Sequence, residues 1–225
     1  MPVSVEVILS AIVFFAIIGG LFYLLVKTRR WLKADRAARA TPLGELVQVR
    51  SGAGCSLCHS LLDDLADVAA VYESQARSSK PLTGLWLEQV HLRSGSLEPL
   101  GEMELCTFLK LDTVPAVHDV APLAGLTQLE ELIIHHCPIR DVTPLAGMTQ
   151  LRELSLAFTP VADLAPLAGL TSLTELDLRR TEITDLAPLA NLTQLQLLRT
   201  AGSPLAEGAA QALQQALPQV QIDPY

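Results

Sequence analysis

The sequence predicts an α/β solenoid, a parallel β-sheet with short helical or 3₁₀ turns, preceded by one transmembrane helix. Three observations carry this. Residues Asp119 to Ala206 repeat every 22 residues. Within each repeat the apolar residues fall in fixed columns, which a solenoid needs in order to stack. Val7 to Val26 is a run of twenty residues without a charge. Composition excludes several other classes. Half of the 225 residues are hydrophobic and 18% are charged, too apolar for a disordered chain. Fourteen Pro and thirteen Gly show no triplet period, which excludes collagen, and four Cys are too few for a disulfide scaffold.

The uncharged run comes first in the chain. At about 1.5 Å per residue, twenty residues span about 30 Å, the hydrocarbon thickness of a bilayer. A buried core helix rarely stays apolar on every face for this length. A cleaved signal peptide carries a basic n-region and a small-residue cleavage site. Here only Glu6 and the α-amino group precede the run, and Ala38 and Ala40 lie among arginines. Lys27, Arg29, Arg30, Lys33, Arg36 and Arg39 follow it, opposed only by Asp35. The positive-inside rule then places the C-terminal side in the cytoplasm, as in a single-pass protein of a bacterial inner membrane. Phe22, Tyr23 and Trp31 suit the interface at that end. From position 40 onward there are ten basic and twenty-two acidic residues, a net charge of −12. Such a body repels phosphate backbones, so nucleic acid is not an expected partner.

Residues 27–39 are expected to continue the membrane helix. Thr41-Pro42 and Ser51–Gly54 read as breaks. Ser60 to Arg77 reads as an amphipathic helix, with Leu61, Leu65, Val68 and Tyr72 on one face and Ser60 with Asp63 as a capping box. Four regions result: 1–39 as anchor with its basic segment, 40–83 as linker and N-terminal cap helix, 84–206 as repeats, and 207–225 as C-terminal cap.

The four clear repeats begin at Asp119, Asp141, Asp163 and Asp185. Pro122, Pro144, Pro166 and Pro188 are in register, as are Leu129, Leu151, Leu173 and Leu195. Leu176 and Leu178 alternate with Asp177 and Arg179, as one strand with two faces does. Pro166 suits the first position of a short helical or 3₁₀ turn. A degraded repeat precedes these, with Met103, Cys106, Leu109 and Leu111 in the leucine columns, and Val90 and Leu92 read as a still earlier strand. After the repeats, Glu207 to Leu217 reads as a helix with Ala210, Leu213 and Leu217 on one face, and Pro218–Ile222 as a last edge strand.

The body of each unit is L-x-x-L-x-x-L-x-L-x-x-[TCS]-x-[ILV]. This resembles the leucine-rich repeat, in the short 22-residue variety found in internalins and in the phosphatase-regulator type. The resemblance covers about 100 residues. One column departs from it: Cys137, Thr159, Thr181 and Ser203 stand where the family has Asn. A hydroxyl can still bond to turn backbone there. Cys106 and Cys137 read as core residues.

Residues 55–59 read Cys-Ser-Leu-Cys-His. C-x-x-C-H is the attachment signature of c-type haem, with both thiols on the porphyrin and the His on iron. Haem is attached outside the cytoplasm, where the charge rule does not place this segment. Met103 and His91 are the candidates for a second axial ligand. Cys55, Cys58 and His59 could instead supply part of a zinc site, although no second C-x-x-C completes one. A third reading is a redox pair activated by a helix N-terminus. The expectation is no cofactor, with haem c and zinc as the alternatives.

No nucleophile elbow, phosphate loop or H-E-x-x-H is present, so the sequence points away from an enzyme. The resemblance implies protein binding on the concave side of the solenoid. The outward strand positions single out Ile133, His135, His136, Phe158, Arg179 and Arg180, with Arg179, Arg180 and Arg199 as a basic patch. An aromatic beside polar neighbours is the composition of an interaction hot spot. The function expected is a membrane-anchored protein–protein interaction scaffold. The alternative is a redox or electron-transfer protein with covalent haem at Cys55, Cys58 and His59.

Overall fold

Parallel pairing follows from the constant period. Each repeat contributes a strand at the same point of its cycle, so successive strands run the same way and stay in register. The structure, a computed structural model, describes residues 21–25, 46–50, 54–58, 61–62, 65, 83–92 and 95–223. Its strands are β1 (Leu21–Leu25), β2 (Leu46–Arg50), β3 (Gly54–Cys58), β4 (Leu61–Leu62), β5 (Gly84–Glu88), β6 (His91–Leu92) and β7 (Phe108–Asp112). β8 (Glu131–His135), β9 (Glu153–Ser155), β10 (Glu175–Asp177), β11 (Leu197–Arg199) and β12 (Gln221–Asp223) follow. One ten-stranded sheet runs in the order β1-β2-β3-β5-β7-β8-β9-β10-β11-β12. β1 to β3 pair antiparallel, and every pairing from β3–β5 onward is parallel. β4 and β6 form a separate parallel pair.

The leucines of each strand point inward as alternation requires. Leu109 and Leu111, Leu132 and Ile134, Leu154 and Leu156, and Leu176 and Leu178 are all buried. Each repeat returns through a five-residue 3₁₀ turn: Glu98–Glu102, Ala121–Gly125, Thr143–Gly147, Ala165–Gly169 and Ala187–Asn191. Pro in the first turn lacks only an N–H that has no intrahelical partner there. The repeat aspartates close these turns. Asp119, Asp141, Asp163 and Asp185 each accept the N–H two residues on, at 2.7–2.9 Å. The hydrogen bonds from Thr143 hold the Asp141 carboxyl below its ordinary range. The 22-residue spacing of acids is therefore turn closure, not a functional series.

The hydroxyl column replaces the family's Asn with direct bonds to backbone. Thr159 Oγ1 donates to the Leu156 carbonyl at 2.6 Å, and Thr181 Oγ1 to the Leu178 carbonyl at 2.8 Å. Ser203 Oγ donates to the same Leu178 carbonyl at 2.7 Å and accepts the Thr181 N–H at 3.1 Å. Cys137 Sγ donates to the His135 carbonyl at 3.3 Å. Burial pushes the Cys137 thiol up to about 11 and the Cys106 thiol up to about 12, so both are inert core groups at neutral pH.

Helix α1 (Ala209–Ala216) buries Leu213, with Leu217 just beyond it, and packs against the Ala187–Asn191 turn. β12 then covers β11. Here the last repeat breaks its own rule. Thr200 takes the column held by Leu178 and Leu156, is buried, and its Oγ1 has no hydrogen-bond partner among the described residues. An unsatisfied buried hydroxyl costs about 1–3 kcal/mol. Thr200→Val keeps the shape and removes the orphan, so it should raise stability by about 1 kcal/mol in urea unfolding. A loss of stability would mean that the hydroxyl has a partner.

Several sequence expectations need correction. Val90 and Leu92 are not the earlier sheet strand. That strand is Gly84–Glu88, with Leu85 and Leu87 in the leucine columns, while Val90 falls in the column of Cys137. The pattern was obscured because no proline turn precedes Gly84 in register. Leu61–Leu62 is β4, not the first turn of a helix from Ser60, because β6 offers its edge there. The rest of that segment, apart from buried Leu65, lies outside the described residues. Leu21–Leu25 is extended and pairs with β2, where a membrane helix through Val26 was expected. Leu-Phe-Tyr-Leu-Leu suits a strand, and β2 supplies the backbone partners. The remainder of the run and residues 27–39 lie outside the described residues. Among the described residues no helix is long and apolar enough to cross a membrane.

Candidate functional site

The outward strip is built from three strand columns and one column at the strand exits. The exit column has a backbone cause. Gln89, Thr113, His136, Phe158 and Arg180 all have φ between 51° and 60°, and Gly202 has φ 76°. Each of the five side-chain-bearing residues donates its N–H to a carbonyl of the next repeat: Asp112, His135, Ala157, Arg179 and Ala201, at 2.8–3.4 Å. The hydrogen-bond ladder thus holds a left-handed turn that a non-glycine residue adopts at a cost of about 1–2 kcal/mol. It also places the side chains of consecutive repeats one above another.

Three of the predicted site residues meet there. The rings of His136 and Phe158 stack with centroids 4.2 Å apart at an interplanar angle of 20°. The Arg180 guanidinium carbon lies 5.6 Å from the Phe158 centroid. Phe158 remains 39% exposed, and His136 and Arg180 are exposed beside it. Gly202 completes the column. A Cβ there would stand 3.0 Å from Arg180 Cγ, so the bare glycine leaves room for the arginine stem.

The other predicted residues are engaged elsewhere. Ile133 is half-buried in the middle of β8, between Lys110 and Ser155 in register. His135 Nε2 shares a 2.6 Å hydrogen bond with Ser155 Oγ, and its Nδ1 lies 4.0 Å from Asp112, which Lys110 holds at 3.2 Å. Burial lowers the His135 pKa, outweighing Asp112 and Asp177, so the neutral ring is the resting form. Asp112, His135 and Ser155 fall in the order of a nucleophilic triad. Next to Ser155, however, the Leu156 N–H donates to the Asp177 carbonyl within the sheet ladder rather than to a reacting oxygen. Arg179 is not free: its Nε donates to both Asp177 oxygens at 3.0 Å and its Nη2 to Oδ2 at 2.7 Å. Arg199 lies 3.5 Å from Glu175. The expected basic patch is therefore reduced to Arg180.

Glu131, Glu153 and Glu175 stand side by side at the strand entrances. Burial raises the Glu131 pKa, and repulsion from Glu153 and Glu175 adds to it. Reading the sequence alone missed Trp86. It is half-buried on β5, and its ring lies 4.4 Å from that of Phe108. The alternation in Gly84–Glu88 was the available signal.

Cys55 and Cys58 lie in β3, and His59 is outside the described residues. Three residues of strand separate two Cα positions by about 10 Å, whereas a disulfide takes about 4.4–6.8 Å. The next described element is strand β4, so among the described residues no helix N-terminus stands beside the thiols. This backbone does not fit a redox pair. Met103, a candidate second haem ligand, is buried in the solenoid core. No cluster of three metal-ligating side chains occurs among the described residues.

The family model described as leucine-rich repeats in two copies matches residues 149–191. Residues 149–191 are leucine-rich repeats. Its fold is similar to an internalin of Listeria monocytogenes, at 26% identity and a TM-score of 0.60, covering 72% of this chain and 44% of the internalin. A leucine-rich repeat protein of Leptospira interrogans is similar at 19% identity and a TM-score of 0.60, covering 70% of this chain and 39% of that one. A plant peptide hormone receptor, solved in complex with RGF2, is similar at 15% identity and a TM-score of 0.56, covering 72% of this chain and 26% of the receptor. The last two likenesses speak to the fold alone. The chain spans less than half the length of each of the three structures. No curated protein matches its sequence.

Proposed function

We propose that the solenoid binds a protein partner on its concave strip, with the His136–Phe158–Arg180 column as the centre of contact. The observation that carries this is the exposed Phe158 ring, stacked on the His136 imidazole and beside the Arg180 guanidinium at a left-handed strand exit. A rigid aromatic with flanking polar groups is the composition of a binding hot spot. Leucine-rich repeat proteins generally mediate protein–protein contact, and the plant peptide hormone receptor above was solved in complex with RGF2. Burying a Phe side chain contributes about 1.5–3 kcal/mol, or roughly ten- to hundredfold in affinity. Phe158→Ala should weaken capture of the partner by that factor in quantitative pull-downs, with an unchanged circular dichroism spectrum. Full retention of the partner by that variant, with loss when residues 27–80 are replaced, would move function to the segment before the repeats.

The scaffold is further proposed to sit on a bacterial inner membrane with the repeats in the cytoplasm. Sequence supports this: the uncharged run over Val7–Val26 and the six basic residues after it. β1 argues against a helix through Leu21–Leu25, so attachment rests on the charge and hydropathy pattern. Carbonate extraction of membranes tests attachment, and a C-terminal reporter fusion tests the side. Release of the chain into the soluble fraction would end the membrane reading.

A further inference from the structure

We propose that the exit column receives an acidic segment of the partner, with a carboxylate bound by Arg180 and an apolar side chain laid against Phe158. This rests on the reading that the strip binds protein, and adds the chemistry of what it binds.

Cation pairing over the repeats singles out one residue. Lys110 pairs with Asp112, Arg140 with Glu182, Arg152 with Glu130, Arg179 with Asp177 and Arg199 with Glu175. Arg180 enters no ion pair among the described residues, although it is exposed and lies within an acidic chain. It is also positioned. Its stem rests over Gly202 and its guanidinium over Phe158. A guanidinium held against a ring keeps its in-plane N–H donors available, and their fork matches a carboxylate. The ring beside it, 39% exposed, offers an apolar surface. Together they ask for a carboxylate and an apolar group on neighbouring positions of one segment.

The rest of the strip sets the direction. Glu131 and Glu153, at the strand entrances, take part in no ion pair among the described residues, and they repel each other. An acidic segment is therefore disfavoured at that end and accepted at the exit end. Charge placement of this kind fixes register and excludes wrong partners more than it adds affinity.

Random peptides displayed on phage and selected on the full chain in detergent test this. Peptides selected by the unaltered protein should be enriched in Asp or Glu beside an aromatic or large aliphatic residue. Selection on Arg180→Glu should shift that enrichment to Lys or Arg. One selected peptide, labelled and titrated by fluorescence anisotropy, should bind about tenfold more weakly to Arg180→Gln. The same motif selected on Arg180→Glu, or basic peptides selected by the unaltered protein, would overturn the proposal. Peptides lost with Glu153→Lys but kept by Arg180→Gln would overturn it while leaving the strip as the binding face. Peptides unaffected by any change on the strip would overturn both.

Discussion

Replacing Leu176 with Asp should unfold the repeats. Leu176 is fully buried in β10, and its neighbours in register are Leu154 of β9 and Leu198 of β11, themselves buried. A carboxylate there would face aliphatic side chains, with no cation in the core among the described residues. An uncompensated buried charge costs several kcal/mol, against a total stability of about 5–15 kcal/mol for an ordinary domain. A solenoid adds to the damage, because each repeat buries its leucines only against its neighbours. The break at β10 separates β7–β9 from β11 and α1. Loss of the folded circular dichroism signal, or of a cooperative melt, is the expected result. An unchanged melting temperature would mean that the leucine columns are assigned to the wrong face.

That register was legible before any coordinates because a 22-residue repeat offers many copies of one pattern. The proline, leucine and hydroxyl columns were each fixed by four residues, and the strand direction followed from the period. Where the copies diverge, the reading failed. Gly84–Glu88 has the alternation but lacks the proline turn, so its strand was displaced to Val90 and Leu92, and Trp86 went unnoticed. β1 to β4 lie outside the repeat, where single short segments gave no second copy to check. Leu21–Leu25 shows the difficulty: five large apolar residues fit a strand or a helix, and only a pairing partner decides.

The candidate site was legible in composition but not in arrangement. His136, Phe158 and Arg180 could be named from their common offset after the leucines. Their stacking could not, because it depends on a left-handed exit residue that sequence usually signals with Gly or Asn. Here only Gly202 carries that signal, and the other repeats accept the strain in exchange for a ladder hydrogen bond. Arg179 was grouped with Arg180 because they are adjacent. Both lie in the turn after β10, but the Arg179 side chain reaches back to Asp177 two residues before it, while Arg180 lies over Phe158.

That pair leads to the second large effect. Arg179→Ala should destabilise the protein by about 2 kcal/mol at pH 7, a figure lowered from the cost of breaking a fully buried pair because the arginine is 43% exposed. The cause lies with the residue left behind. The Asp177 side chain is 8% exposed, so losing Arg179 removes three of its hydrogen bonds while its charge stays largely out of water. Burial by itself raises the Asp177 pKa. The hydrogen bonds from the Arg179 side chain and backbone, with the charges of Arg179 and Arg199, outweigh it and bring the pKa below its ordinary 3.8. The sign follows. A carboxyl with a depressed folded pKa contributes stability that is present above its unfolded value and lost as pH falls below it. Without Arg179 the burial contribution dominates, so protonation stabilises the variant instead. The gap between the two proteins should therefore be widest at neutral pH and narrow as pH falls through about 4. Arg179→Lys should recover part of the gap, since an ammonium keeps the charge and loses the fork. Urea unfolding at pH 7 and pH 4 measures it. An equal gap at both values would mean that Arg179 acts through packing of its stem, with the Asp177 charge satisfied by other groups.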